Sequence, residues 1–214
     1  MGMAIDKLED GITASIKEAT FEVFSTMLMM DVKAEASFIK DEKNVSTDLI
    51  SSLHFFGEKY MGKIAVFTSG TVACHIANAM LGTEEKAVND DVKDGMGEIV
   101  NMIAGGAKVR LHETLGDIHL LTPWVIAGRH LTISSSEHKD GGGDLSIDSQ
   151  AQFSWIMTQF HFDGGTFLVG VQTNNVPNRK AYEKNVGDDI VKALEEENEK
   201  LREEIANLKK QLNK

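Results

Sequence analysis

Several helical patterns and a set of strands can be read from the spacing of apolar residues along the chain. Ile12, Ile16, Val23 and Met27 recur at helical spacing and predict a first helix from about Asp6 to Met30. Strands follow. The segments VKAEASFIK, DLISSLHFF and YMGKIAVFT carry β-branched and aromatic residues, and GEKYMG suits the connection of a hairpin. TVACHIANAML reads as a short helix stopped by Gly82. Four further strands are predicted in DIHLL, VIAGRHLTIS, AQFSWIMTQFHF and GTFLVGVQT, the last two joined by DGG as a hairpin. EHKDGGGDLS reads as an exposed loop.

A long second helix occupies NDDVKDGMGEIVNMIAGGAKVRLHE, with Asn89 as N-cap and Asp90 and Asp91 on its first turn. Four glycines, Gly95, Gly97, Gly105 and Gly106, fall inside it. Each costs a helix roughly 1 kcal/mol relative to alanine, so the segment carries a local conflict that something else must justify. At about 100° per residue, Val92, Met96, Ile99, Val100, Ile103 and Ala107 gather on one side as the core-facing stripe. Asp94, Glu98, Asn101, Gly105, Lys108 and His112 line the opposite side. Gly105 lies within that polar stripe, where the missing side chain lets another molecule approach the backbone beside Glu98 and Asn101. By pattern alone the stripe also reads as an ordinary solvated face.

The end of the chain is of another kind. TNNVPNRKAYEKNVGDD is polar and reads as a linker. Beyond it Val191, Asn198, Ile205 and Leu212 stand at heptad spacing, and Leu194, Leu201 and Leu208 fill the intervening positions of a short leucine zipper. An asparagine at the first heptad position favours a parallel two-stranded coil. The expected division is therefore a domain over residues 1–175, a linker over 176–187 and a dimerising coiled coil over 188–214, native or fused.

Composition narrows the function classes. The formal charge of −11 argues against a nucleic-acid partner, because phosphate-backbone binding needs a concentrated basic patch. No apolar run is long enough to span a bilayer and the start lacks the pattern of a signal peptide, so a cytoplasmic protein without a membrane partner is expected. The single cysteine, Cys74, falls among apolar neighbours and reads as a buried, inert thiol. The seven histidines show no metal-ligand spacing, and no serine stands in a nucleophile elbow. No metal or cofactor site is expected.

The chain also echoes itself. EATFEVFSTM matches DGMGEIVNMI at a constant offset, placing Glu18 against Asp94, Glu22 against Glu98 and Ser25 against Asn101. HFFGEKYMGKIAVFT likewise resembles FHFDGGTFLVGVQT. A diverged duplication with pseudo-twofold architecture follows from these echoes. The expected fold is α/β (α+β), a largely antiparallel β-sheet flanked by two long pseudo-equivalent helices.

The spacing Asp94-x3-Glu98-x2-Asn101, continued as MIAGGAK and followed by Pro123, resembles the CheC/CheX/FliY family of bacterial chemotaxis phosphatases, and CheX-like members in particular. The resemblance covers most of residues 5–173. It implies hydrolysis of the aspartyl phosphate of a CheY-like response regulator, with Asn101 positioning the attacking water and Glu98 pairing with a lysine of the receiver. It also implies that the protein needs no cofactor of its own, Mg²⁺ being held by the phosphorylated receiver. Asp94, Gly105 and Lys108 are candidate docking contacts, although for the two charged residues a solvated face is the alternative. A homodimer is expected from the zipper and possible for the core. The competing reading is a non-catalytic adaptor or flagellar-switch protein that uses the same fold to bind a partner.

Overall fold

The computed structural model describes residues 2–40, 45–135, 146–149 and 155–175. The chain divides into two compact units, Met1–Asn175 and Val176–Lys214, and every described residue lies in the first. The EHKDGGGDLS loop up to Leu145, the linker and the zipper predicted from the sequence fall outside the described residues.

The first unit is an α+β fold. Helix α1 spans Gly2–Thr26, α2 Gly70–Leu81 and α3 Asp90–Leu115. The strands are β1 (Lys33–Ala34), β2 (Phe38–Lys40), β3 (Val45–Gly57), β4 (Tyr60–Thr68), β5 (Ile118–Leu120), β6 (Trp124–Ser135), β7 (Ser146–Ser149), β8 (Trp155–Phe162) and β9 (Gly165–Asn175). They form one sheet in the order β1-β8-β9-β4-β3-β6-β7, with β2 also on β8 and β5 also on β3. Every pairing is antiparallel except β6 with β7.

The strand order carries the duplication that the sequence echoes suggest. The hairpins β3–β4 and β8–β9 meet through β4 and β9 at the centre of the sheet, for example at Val66 opposite Val169. The strands that follow α1 pair with β8, while those that follow α3 pair with β3. Each repeat thus lends its first strands to the hairpin of the other.

Alternation along the strands separates two faces. Leu49, Leu53, Phe55, Ile64 and Val66 point to the helices and pack with Ile12, Ile16, Phe24, Val92, Met96, Ile99 and Ile103 in the main core. Ile50, Ala65, Phe67, Leu131, Trp155 and Met157 form a smaller buried cluster on the other face. Burying such large aliphatic and aromatic side chains stabilises the fold by about 1.5–3 kcal/mol each, before the entropy of ordering them is counted.

Local signals account for the helix ends. The Ser69 Oγ accepts from the Val72 N–H at the start of α2, and Gly82 closes it in the left-handed region at φ 67°. The first helix stops at Thr26, earlier than the pattern predicts. Met27 is 54% exposed, and Phe24 and Leu28 supply the core contacts instead. Met29 takes a left-handed conformation at φ 53°, which ends the helix. The segment predicted as one strand over 32–40 splits into β1 and β2, both on β8. Strand β7 has no counterpart in the sequence-based prediction.

Candidate functional site

Helix α3 is fixed at three places before its exposed face is considered. Asn89 caps it, the Oδ1 accepting from the Val92 N–H at 2.9 Å. Its apolar stripe is wholly buried, with Val92, Met96, Ile99, Val100, Ile103 and Ala107 all at 0% exposure. From the sheet below, the buried Ser51 Oγ donates to the Met96 carbonyl at 2.7 Å, two residues before Glu98. Nothing in the sequence singles out Ser51, one of two adjacent serines inside strand β3, or shows which helix it will reach.

The glycines of α3 have different explanations. A Cβ at Gly95 would lie 3.1 Å from the Ala77 Cβ of α2, and one at Gly106 would lie 3.1 Å from the Ala19 Cβ of α1. These two therefore allow the close approach of neighbouring helices. Gly97 is buried over β6, 3.6 Å from the Val125 side chain on the same measure. Gly105 is different, for a Cβ there would meet nothing within 4 Å. It leaves an open notch on the exposed side.

The predicted stripe is one surface. Asp94 and Glu98 are exposed, and Asn101, Gly105 and Lys108 are partly exposed. The Asn101 Nδ2 stands 3.5 Å from the Glu98 Oε2, a long hydrogen bond that puts a carboxylate and a carboxamide side by side. A carboxamide offers a carbonyl acceptor and two N–H donors, so this pair can orient a water or a polar group of another molecule without a strong base. Lys93, beside the stripe, pairs with Asp90 at 2.9 Å, and that contact holds Asp90 below the usual carboxylate range. Farther along, His112 pairs with Asp117 at 3.1 Å.

The counterpart face on α1 is arranged otherwise. Glu22, which echoes Glu98, accepts from Arg110 Nη2 at 2.7 Å, and Glu18 accepts from Arg110 Nε at 3.1 Å. Arg110 Nη1 also donates to the Gly106 carbonyl at 3.0 Å. Hydrogen bonding to Glu22 is the largest cause that raises the Arg110 pKa, so the guanidinium stays charged. Ser25 turns its hydroxyl to the Glu22 carbonyl at 3.3 Å. Met29, which the same offset sets against Gly105, lies past the helix end and is 82% exposed.

Among the described residues no group of three or more His, Cys, Asp or Glu side chains is placed to hold a metal ion. Cys74 is buried and unpaired, and desolvation followed by the charge of Glu85 pushes its thiol pKa up. No described helix is long and apolar enough to cross a membrane.

Residues 50–143, which contain α3 and its polar stripe, match the family model for the chemotaxis phosphatase CheX. The core of this chain is CheX-like. Among solved structures, the chemotaxis protein CheX of Desulfovibrio desulfuricans is 26% identical with a TM-score of 0.63, over 77% of this chain and 99% of that one. A CheC-like superfamily protein from a Shewanella species is 22% identical, with a TM-score of 0.64 over 77% of this chain and 97% of that one. A third similar fold is found in the CheX-CheY-BeF3-Mg²⁺ complex of Borrelia burgdorferi, at 17% identity and a TM-score of 0.55 over 76% of this chain and 97% of that one. No curated protein matches the chain. The CheX-like core carries Glu98 and Asn101 inside the matched stretch, whereas α1 lies before it.

Proposed function

We propose that this protein is a chemotaxis phosphatase that hydrolyses the aspartyl phosphate of a CheY-like receiver domain. The supporting observation is the adjacency of Glu98 and Asn101 on the open face of a helix whose opposite face is entirely buried. A helix held this rigidly can be inserted into a partner without losing the geometry of its two polar side chains.

The receiver brings the acyl phosphate, the Mg²⁺ and a lysine near the phosphoryl group. What this chain adds is position. Glu98 docks against the receiver lysine and sets depth and rotation. The Asn101 carbonyl accepts a hydrogen bond from a water and holds it in line with phosphorus. The water oxygen attacks phosphorus, the phosphorus–oxygen bond to the aspartate breaks, and the aspartate leaves as a carboxylate. The proton from the water departs with the inorganic phosphate. Alignment of this kind lowers a barrier by several kcal/mol without any catalytic base. The notch at Gly105 and the flanking Asp94 and Lys108 form the rest of the docking face. Residues 188–214 are proposed to pair two such chains in parallel.

The test is phosphate release from a receiver loaded with a phosphodonor, with this protein native or carrying Asn101→Ala. Acceleration by the native chain and its loss in the variant are expected. Equal acceleration by both would remove Asn101 from the mechanism.

A further inference from the structure

Two glycines, Gly95 and Gly97, flank Met96 in the turn of α3 that leads into Glu98. Glycine gives a helix backbone more freedom than alanine, so this turn needs an outside restraint more than its neighbours do. A slip of one residue along a helix moves a side chain by about 1.5 Å and turns it by about 100°. That would take Glu98 and Asn101 off their common exposed face.

The sheet supplies a seat for the turn. Ser51 of β3 stands opposite Val125 of β6 in the strand register, and both reach α3. The Ser51 Oγ donates to the Met96 carbonyl at 2.7 Å, and the Val125 side chain lies 3.6 Å from where a Cβ on Gly97 would stand. A carbonyl has two lone pairs, so it can take this bond beside its helical one. Strand β3 is itself paired on both sides, with β4 and with β6, which presents the hydroxyl from the interior of the sheet. Ser52, the next residue, is also buried, but alternation turns it to the other face, and its Oγ donates to the Ile64 carbonyl of β4 at 2.9 Å. Two adjacent serines, alike in burial and in bond type, therefore hold different things. One holds the helix of the candidate site, and the other holds a neighbouring strand.

We propose that Ser51 is a positioning residue for the phosphatase reaction, its hydroxyl fixing the Met96–Gly97 peptide and through it the depth and rotation of Glu98 and Asn101. This role rests on the phosphatase reading above and names what holds that site in place. It bears on alignment more than on docking. An ion pair to Glu98 tolerates a small shift, whereas a water held in line with phosphorus does not, and a misplacement of about 1 Å can cost about 100-fold in rate. Without the hydroxyl the helix keeps its buried apolar stripe, so a smaller displacement and a smaller loss follow.

The test compares the native chain with Ser51→Ala, Ser52→Ala and Asn101→Ala for affinity to a BeF3-loaded receiver, single-turnover phosphate release at saturation, and amide hydrogen exchange over residues 95–101. Ser51→Ala is expected to bind within about threefold of native, to release phosphate about tenfold more slowly and to exchange faster over 95–101, while Ser52→Ala stays native-like in all three. Ser51→Cys, which keeps the side-chain shape with a weaker donor, should shift in the same direction as Ser51→Ala. Native-like release by Ser51→Ala, or equal slowing by the two serine-to-alanine variants, would overturn the role of Ser51 while acceleration by the native chain and its loss in Asn101→Ala keep the phosphatase reading standing. No acceleration by the native chain would sink both.

Discussion

Arg110 of α3 donates to Glu22 of α1 at 2.7 Å, so the acidic residue that echoes Glu98 is held by the chain's own guanidinium. The same side chain reaches Glu18 and the Gly106 carbonyl, tying α1 to α3 beside the candidate site. The two carboxylates are more than half exposed, which limits the energy of the clamp. Arg110→Ala is expected to cost about 1–2 kcal/mol, part of it from lost packing of the arginine stem. Urea denaturation measures this, and a loss above about 3 kcal/mol would show a buried network instead.

The clamp bears on whether α1 can serve as a second site. Ser25→Asn would recreate the Glu-x-x-Asn pattern with Glu22, yet Glu22 is engaged and α1 ends one residue after Ser25. No turnover is expected from Ser25→Asn in an Asn101→Ala background, measured as phosphate release from a loaded receiver. Recovery of activity would mean that the two side chains suffice wherever a helix displays them.

Gly105 separates stability from docking. Gly105→Ala should stabilise the protein by about 1 kcal/mol, because the added methyl has open space and the helix gains propensity. Gly105→Leu should also stay folded but block the receiver. Gly95→Ala and Gly106→Ala should gain less or destabilise, since each new Cβ crowds a neighbouring helix at 3.1 Å. Thermal melts of the four variants and turnover by Gly105→Leu check the set. Full activity in that variant would show that the notch is not used.

Much of this site is legible in the sequence because α3 is governed by local rules. Its N-cap at Asn89, the glycine stop of the preceding helix at Gly82, and the separation of Ile99 and Ile103 from Glu98 and Asn101 all follow from period and capping. Contacts between distant segments are not legible in that way. Nothing near Arg110 announces Glu22, nothing in β3 announces that Ser51 will reach Met96, and Gly95 and Gly106 are explained only by the helices that approach them. Met27 shows the limit of periodicity. Its spacing is helical, but it lies just past the end of α1, where solvent replaces the core.

The heptad pattern over 188–214 leads to the proposal of a parallel dimer. Sedimentation of the full chain at micromolar concentration should give twice the monomer mass, and Leu201→Pro should reduce it. A monomer with the heptads intact would contradict the pairing. The proposed site lies wholly within α3, so turnover per chain should survive Leu201→Pro.

In the proposed mechanism Glu98 docks and Asn101 positions water. The most direct measurement compares affinity for a BeF3-loaded receiver with single-turnover phosphate release from the phosphorylated receiver, for the native chain, Glu98→Ala and Asn101→Ala. Asn101→Ala is expected to bind within about threefold of native while losing at least about 100-fold in rate, and Glu98→Ala to weaken binding at least about tenfold. Native-like release by Asn101→Ala, or native-like binding and release by Glu98→Ala, would contradict it.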